Sequence, residues 1–292
     1  ITANSRPRRS VLYMPGANTR ALEKGRNLAA DALILDLEDA VSPDAKQSAR
    51  QNIVDALAEG GYGQREIIVR CNGLDTPWGY DDIAAIAKTS AHALLLPKVE
   101  SASQVHQAEL ILKNHGAADS MAIWCMMETP LGILRAEEIA QASPRLAGFV
   151  MGTSDLAKDL HCLHTPMRLP MLNSLTTCVL VARAYGLGIV DGVHLDLSDD
   201  EGFLASCEQG LEMGFDGKTL IPPKTIDAAN KVFGPSADEI AWAEKITAAY
   251  AEAEAEGKGV VVVDGKLVEA LHVEGAARSL ALKAAIDLLE NG

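Results

Sequence analysis

The sequence predicts an α/β protein: a (β/α)8 TIM barrel followed by a C-terminal helix–hairpin–helix extension. Roughly eight short apolar segments alternate with longer helical patterns, and eight such units in about 250 residues are typical of this barrel. The apolar segments are continuous rather than alternating, as in parallel strands that are buried on both faces. An open doubly wound sheet is the alternative, but residues 14–18 lack its glycine-rich phosphate turn.

Each predicted strand is a short apolar run, and two of them end in a charged residue, Asp36 and Arg70. The strands are residues 10–14, 32–36, 66–70, 93–96, 121–127, 146–151, 188–193 and 217–221. Apolar residues at helical spacing predict helices between them, at residues 19–28, 44–58, 80–88, 103–115, 132–141, 166–185 and 200–213. Asn18 suits the N-cap of the first helix, and Pro43 suits the start of the second.

The chain after residue 233 departs from this alternation. It predicts a long Ala- and Glu-rich helix at residues 238–256, a glycine hinge at 257–259 and a final helix at about 274–289. Between them, strands at 260–263 and 266–271 flank Asp264 and Gly265, which favour a type I′ hairpin turn. We therefore expect a barrel domain at residues 1–234 and an extension at 235–292 that caps it, closes over it or docks on another subunit.

Charge disfavours one broad class of function. The chain has 26 Lys and Arg against 40 Asp and Glu, a net charge of -14, which is unsuited to general nucleic-acid binding. A local basic cluster can still bind a small anion inside an acidic protein. The group after the first strand either binds phosphate in this way or forms a solvated helix face. Its members are Asn18, Arg20, Lys24 and Arg26.

Cysteine usage and hydropathy predict the cellular setting. No stretch approaches the roughly 20 apolar residues of a membrane span. The odd count of five cysteines, the lack of a CxxC spacing and a polar, basic opening at residues 1–10 predict a reducing, cytoplasmic compartment. Arg6, Arg8 and Arg9 in that opening equally suit a solvated tail.

Charged residues follow strand after strand at the carboxyl end, the rim that carries the chemistry of barrel enzymes. Ordinary solvation would explain one such strand end, but a run of them across successive strands indicates a site. These residues are Asp36, Glu38, Asp39, Arg70, Lys98, Glu128, Asp155 and Asp191.

Glu128 and Asp155 follow neighbouring strands, so their carboxylates can meet over the barrel mouth. Two carboxylates with open positions suit Mg²⁺, which keeps several waters. A solvated pair, or an ion pair with Arg70, is the alternative. Arg70 offers a planar fork for a carboxylate or a developing oxyanion. It can equally form a structural ion pair with the acidic residues after the second strand, and both roles can hold at once.

Eight stretches in the same order resemble one known family. They are RSVLYMPG at 9–16, LDLEDAV at 35–41, VRCN at 69–72, LPKVE at 96–100, METP at 127–130, GTSDLA at 152–157, GFDGK at 214–218 and DGKLVE at 264–269. Together they resemble the citrate lyase β-subunit-like CoA-ester lyases of the HpcH/HpaI aldolase group. That family includes malyl-CoA, β-methylmalyl-CoA and citramalyl-CoA lyases.

The resemblance implies a TIM barrel whose C-terminal extension reaches a neighbouring subunit's active site, in a homotrimer or hexamer. It implies Mg²⁺, with Mn²⁺ as an alternative, at Glu128 and Asp155, and substrate binding by Arg70. An acid/base carboxylate on the extension corresponds to Glu269. Supporting residues around this site are Asp36, Glu38, Asp39 and Lys98, and candidates for binding the phosphates of CoA are Asn18, Arg20 and Lys24.

Three positions depart from the family pattern. Glu269 stands where many relatives have Asp, which keeps the chemistry but lengthens the reach. Ser154 stands where many relatives have Glu before the metal-binding Asp. Residues 221–223 are Ile-Pro-Pro rather than Ile-His-Pro, which removes a polar group near the substrate.

The reaction implied by the resemblance is cleavage of a 3-hydroxyacyl-CoA between C2 and C3 into an acyl-CoA and a 2-oxo acid, glyoxylate or pyruvate. Mg²⁺ and Arg70 would stabilise charge on the oxo-acid oxygens, while Glu269 moves the proton at the acyl α-carbon. The alternatives are a malyl-CoA thioesterase or malate synthase-like enzyme, in which water releases free CoA, and a citrate lyase β subunit that works in a complex with an acyl-carrier protein.

Overall fold

A computed structural model describes residues 6–291 and contains a closed barrel of eight parallel strands, as predicted. Each strand pairs with the next along the chain, and the last pairs with the first. The strands are β1 Ser10–Pro15, β2 Ala32–Asp36, β3 Glu66–Arg70, β4 Ala93–Leu96, β5 Ala122–Met127, β6 Leu146–Met151, β7 Gly188–Asp191 and β8 Gly217–Leu220.

Helices connect the strands and cover the outside of the barrel. They are α1 Thr19–Gly25, α2 Lys46–Glu59, α3 Gly79–Ile86, α4 Ala102–Asn114, α5 Pro130–Leu134, α6 Ala136–Ala140, α7 Thr153–Asp159, α8 Leu172–Ala184, α9 Asp200–Met213 and α10 Ile226–Phe233. The sequence does not predict α7 and α10, because they are too short to show a clear helical period. The prediction also joined α5 and α6 into one helix and began α8 at residue 166, ahead of a 3₁₀ turn at Leu169–Met171.

The barrel interior is filled by side chains from alternate strand positions, as the two-residue period of a strand requires. Val11, Ile34, Ile68 and Val190 belong to this inner cluster. The residues between them pack outward against the helices in a larger core. Two strand-end residues continue the inward series, so that Asp36 follows Ile34 and Arg70 follows Ile68 at the carboxyl rim.

The opposite end of the barrel is closed around Trp124. This indole is fully buried, and the guanidinium of Arg8 lies 4.7 Å from its ring centroid. Arg8 also pairs with Glu66, with Nε 2.6 Å from Oε2. Arg9 pairs with Asp31 at 2.8 Å. The interpretation of these arginines as a solvated tail is therefore wrong for Arg8 and Arg9, whereas residues 1–5 of that stretch lie outside the described residues.

A second compact unit begins at Gly234. Its elements are α11 Ala237–Ala255, β9 Val260–Val263, β10 Lys266–Glu269 and α12 Ala270–Asn291. Ser236 and Glu239 form a capping box at the start of α11. Positive φ at both Asp264 (47°) and Gly265 (77°) is the signature of the predicted type I′ turn.

The last helix starts four residues before its predicted position. The side chain of His272 accepts the backbone N–H of Glu269 at 3.0 Å, which caps the helix directly after β10. The unit has its own small core, to which Ile246, Val263 and Val268 belong. Across residues 6–291, no helix has the length and apolar character that crossing a membrane would need.

Candidate active site

An open cavity of about 460 Å³ lies at the carboxyl ends of the barrel strands. Its lining combines charged and apolar side chains. The charged members are Asp36, Asp39, Arg70, Glu128 and Asp155, and the larger apolar members are Tyr13, Met126, Met151, Val193, Leu195 and Ile221. The cavity thus brings together the three predicted site residues Arg70, Glu128 and Asp155.

Arg70 is buried at the end of β3 and held by acidic neighbours. Its Nε and Nη2 each lie 2.7 Å from one carboxylate oxygen of Asp36. Its Nη1 lies 3.0 Å from Glu38 and 3.5 Å from Asp39. Burial raises the pKa of Asp36, but the charge and hydrogen bonds of Arg70 outweigh it and hold that pKa below its usual range. The predicted ion pair is therefore present, and it leaves Nη1 as the most exchangeable corner of the guanidinium.

Tyr13 is a cavity residue that was not among the predicted site residues. The Arg70 guanidinium lies 5.0 Å from its ring centroid, and its hydroxyl lies 3.6 Å from the sulfur of Met126. Burial raises the pKa of this phenol. The strand period could have indicated that Tyr13 faces the barrel interior, because it lies two residues beyond the inward-facing Val11. The stacked ring restricts the plane of Arg70.

Lys46 anchors the backbone of the acidic loop that follows β2. Its ammonium donates to the backbone carbonyl oxygens of Leu37 at 2.9 Å and Glu38 at 2.7 Å. The amide of Asn72 also donates to the Leu37 carbonyl, at 3.0 Å. Burial lowers the pKa of Lys46. These bonds fix the backbone that presents Glu38 to Arg70.

Glu128 follows β5 and is only 3% exposed. Its Oε1 accepts the backbone N–H of Lys98 at 2.8 Å. Its Oε2 lies against Gly152, where a Cβ would collide with it, so only glycine leaves room for the carboxylate. Burial raises the pKa of Glu128 to about 7, even though Lys98 and Arg70 lower it. The neighbouring cations therefore do not fully offset the cost of burying this carboxylate in its charged form.

Asp155 lies in the first turn of α7, which begins directly at the end of β6. Its two oxygens each lie 3.4 Å from an ammonium, Oδ2 from Lys98 and Oδ1 from Lys158. Lys98 also lies 3.0 Å from Glu38. Partial burial lowers the pKa of Lys98, but the hydrogen bond to Glu38 and the nearby carboxylates outweigh it and raise that pKa. Lys98 therefore connects the two predicted metal ligands and the acidic loop.

The donor set fits a hard divalent cation. Glu128 and Asp155 offer carboxylate oxygens, which Mg²⁺ prefers, and its remaining positions are normally filled by water and substrate. The undercompensated charge of buried Glu128 fits the same interpretation. Among residues 6–291, no three His, Cys, Asp or Glu side chains are grouped to hold a metal by themselves. Two carboxylates leave most positions around such a cation to water and substrate, which suits a site that the substrate completes.

Asp191 does not belong to the rim, so the prediction that placed it there is wrong. Val190 faces the barrel interior, so the next residue faces outward, and Asp191 is fully buried there. It lies 2.9 Å from Lys218 and 2.6 Å from Arg168. This buried triad stabilises the wall between the sheet and the helices, and Asp191 is not part of the cavity lining.

The remaining predicted residues lie apart from this cavity lining. Asn18 is the N-cap of α1, and its Oδ1 accepts the N–H of Ala21 at 3.0 Å. Arg20 and Lys24 are exposed on the same helix. Arg26, the last member of the basic group, already forms an ion pair with Glu59 at 2.6 Å.

Glu269 ends β10 in the second unit and is half-buried there.

A (β/α)8 barrel with a charged cavity at the carboxyl ends of its strands is the architecture of barrel enzymes. Residues 9–223 match the HpcH/HpaI aldolase/citrate lyase family, and the chain belongs to that family of enzymes.

Two curated relatives span nearly the whole chain. The (3S)-malyl-CoA thioesterase of Cereibacter sphaeroides is 52% identical over 280 residues, 96% of each chain. Citrate lyase subunit beta of Leuconostoc mesenteroides subsp. cremoris is 36% identical over 293 residues, 99% of this chain and 97% of that one. The predicted resemblance to citrate lyase β-like proteins is thereby confirmed.

A solved structure gives the same family in three dimensions. Protein CitE from Mycobacterium tuberculosis, in complex with magnesium, acetoacetate and coenzyme A, matches with a TM-score of 0.77 and 28% identity. The match covers 96% of this chain and 99% of that one.

Proposed function

We propose that the protein is a Mg²⁺-dependent hydrolase of (3S)-malyl-CoA, or of a close 3-hydroxyacyl-CoA that carries a carboxylate. The observation that carries this proposal is the placement of Arg70, Glu128 and Asp155 around one cavity. The 52% identity to a (3S)-malyl-CoA thioesterase supports hydrolysis as the outcome. The overall reaction is malyl-CoA plus water giving malate and free CoA.

Glu128 and Asp155 are the residues that would hold Mg²⁺. When bound, the ion would supply Lewis-acid stabilisation of negative charge on substrate oxygens. The CitE structure that contains magnesium and acetoacetate supports this part of the proposal by its likeness to the chain.

Arg70 binds the anionic end of the substrate or the oxygen on which charge develops. Its Nη1 can exchange the distant, exposed Asp39 for a substrate oxygen while Asp36 keeps the other two nitrogens in place. A cation whose orientation is fixed before the substrate binds stabilises a charged transition state more than a freely rotating, solvated cation could.

Glu269 is the proposed acid/base group, supplied by the extension of another subunit. It would take the proton of the attacking water in hydrolysis, or move the proton at the acyl α-carbon in a carbon–carbon cleavage. The hairpin has an exposed apolar face that supports docking on a second copy. This face consists of Val260, Val262, Leu267 and the adjoining Leu271, each at least 45% exposed.

The CoA moiety is assigned to the exposed start of α1. Asn18 ends the loop there, and Arg20 and Lys24 offer two solvated cations for its phosphates. Ile221 lines the cavity, and the next residue is Pro222 where many relatives have His, which supports an acyl chain with an apolar side. We also propose that the protein is a homotrimer or hexamer. We propose a cytoplasmic location because all five cysteines are free thiols.

A carbon–carbon lyase is the second candidate, and the 36% identity to citrate lyase subunit beta favours it. The same residues would then release acetyl-CoA and glyoxylate from malyl-CoA without consuming water. A citrate lyase β subunit would in addition need its partner proteins for turnover.

One product assay separates these candidates. The purified protein is given Mg²⁺ and malyl-, β-methylmalyl- or citramalyl-CoA, and free thiol and 2-oxo acid are followed together. Hydrolysis predicts thiol without glyoxylate or pyruvate, and lyase activity predicts 2-oxo acid without thiol. If neither product forms from any of the three esters, the proposed function is wrong for the isolated protein.

A further inference from the structure

We propose that Lys98 is an internal counterion that competes with the divalent cation for Asp155, so that the metal must displace its ammonium. This inference rests on the proposed metal site. It concerns the side chain of Lys98. The backbone of this residue binds Glu128, whereas its ammonium contacts Glu38 and Asp155.

The backbone of Lys98 is fixed in place. It adopts a positive φ of 46°, an uncommon conformation for a residue with a side chain, and its N–H binds Glu128. Its carbonyl oxygen accepts from the side chain of Gln104 at 3.3 Å, and the same amide's oxygen caps α4 through the N–H groups of Glu100 and Ser101. The strained turn therefore persists because bonds on both sides hold it.

The ammonium of Lys98 lies between two carboxylates, one in the loop after β2 and one in the first turn of α7. It is 3.0 Å from Oε1 of Glu38 and 3.4 Å from Oδ2 of Asp155. In this position the ammonium offsets the repulsion between these two carboxylates. A cation that binds Asp155 meets Lys98 as a like charge at short range.

Glu38 supplies a place for the displaced ammonium. It is the nearer of the two partners and remains available when Asp155 turns to a metal. The side chain of Lys98 is 45% exposed, so a small rotation toward Glu38 is not blocked by packing. The structure thus contains both the competing contact and the contact that can replace it.

Lys158 provides a matched control. Its ammonium also lies 3.4 Å from Asp155, on the other oxygen, and it carries the same charge. It is 68% exposed, lies one turn along the same helix and shares its charge with Asp159. Solvent screens such a contact, and the side chain can leave it at little cost. Removing Lys158 therefore reports the general effect of one lost surface charge.

The test is calorimetric titration of the metal-free full-length protein with Mg²⁺ alone, without substrate. Lys98→Met should bind Mg²⁺ about tenfold more tightly than the wild type, because the competing charge is gone while the backbone N–H to Glu128 remains. Lys98→Arg should stay within about threefold of the wild type, as should Lys158→Met. Without Mg²⁺, Lys98→Met should also melt at a lower temperature than Lys158→Met, since Glu38 and Asp155 lose their shared counterion.

The competing role is overturned if Lys98→Met binds Mg²⁺ no more tightly than Lys158→Met, or more weakly than the wild type. The second result would make Lys98 a support for the metal. A wild-type protein that takes up no Mg²⁺ at all would instead overturn the proposed metal site, and this inference with it.

Discussion

Arg70 and Asp36 form a buried bidentate ion pair, in which Nε and Nη2 of the arginine each lie 2.7 Å from a separate carboxylate oxygen. Both residues end neighbouring strands, and their Cα atoms are partners in the parallel register of β2 and β3. With Tyr13 against the guanidinium face, the pair fixes the plane and the direction of the cation. A preset orientation of this kind is what an anion-binding corner requires.

Arg70→Lys should lower kcat/KM for the preferred CoA ester by about 100-fold, a typical loss for one oriented donor. An ammonium keeps the charge but cannot bind both oxygens of Asp36 and a substrate oxygen at once. The measurement is steady-state kinetics, with a melting curve to confirm folding. Arg65→Lys is the control, because Arg65 donates to backbone carbonyls away from the cavity. Rates like the wild type would reduce Arg70 to a structural ion pair.

Glu269→Gln should lose most activity yet still bind Mg²⁺ and the CoA ester, because only the proton-transfer group is changed. The control is Glu274→Gln, a neighbouring acid on α12 that has no assigned role. Retention of most activity by Glu269→Gln would mean that the acid/base group lies elsewhere.

Hybrid oligomers test whether Glu269 acts on another subunit. Co-expression of Glu269→Gln with Asp155→Ala should restore part of the activity, because some sites would then combine an intact metal pair with an intact Glu269. The measurement is turnover by the purified co-assembled oligomer, beside each variant alone. Normal assembly without any rescue would place the acid/base group within the same chain and exclude the exchanged arm.

Much of the barrel was predictable because its strands are continuous apolar runs bounded by polar, charged, proline or glycine residues. β2, β3, β4 and β6 have the predicted limits for this reason. The short helix α7 escaped prediction, although it carries Asp155, because seven residues show no clear period. The hairpin was predictable from Asp264 and Gly265, whose turn preference is local.

The site was predictable in its membership and less so in its contacts. Strand ends meet at one rim, which predicts that Arg70, Glu128 and Asp155 share a cavity. The face of each side chain depends on the strand period, and neglect of that period misplaced Asp191 and missed Tyr13. The positive φ of Lys98 could not be predicted from the sequence, because the residue is not a glycine and its conformation depends on hydrogen bonds made after folding.

Asp191→Asn should lower the free energy of unfolding at pH 7 by about 3–5 kcal/mol, because two buried cations lose their carboxylate. Burial raises the pKa of Asp191, but Lys218 and Arg168 outweigh it and hold the pKa below its usual range. The carboxylate's contribution is therefore complete above the unfolded pKa of about 3.9 and is lost as the pH falls below it.

Denaturant unfolding of both proteins from pH 7 to about pH 3 checks this prediction, since that window crosses the ordinary Asp pKa. The stability gap between wild type and Asp191→Asn should be constant down to about pH 5 and then narrow. Adding Lys218→Met to the variant should recover part of the loss at pH 7. A gap that stays constant or widens in acid would contradict the assigned direction of the shift.

The most direct test of the account is Mg²⁺-dependent turnover of (3S)-malyl-CoA by the wild type, Glu128→Ala and Asp155→Ala. Chelation should abolish wild-type turnover and Mg²⁺ should restore it, while both variants lose about 100-fold or more and keep a native circular dichroism spectrum. Asp159→Ala, which removes an exposed acid one turn from Asp155, should behave as the wild type. Near-normal turnover by either metal-site variant, or by chelator-treated wild type, would contradict the assignment of the metal to this rim.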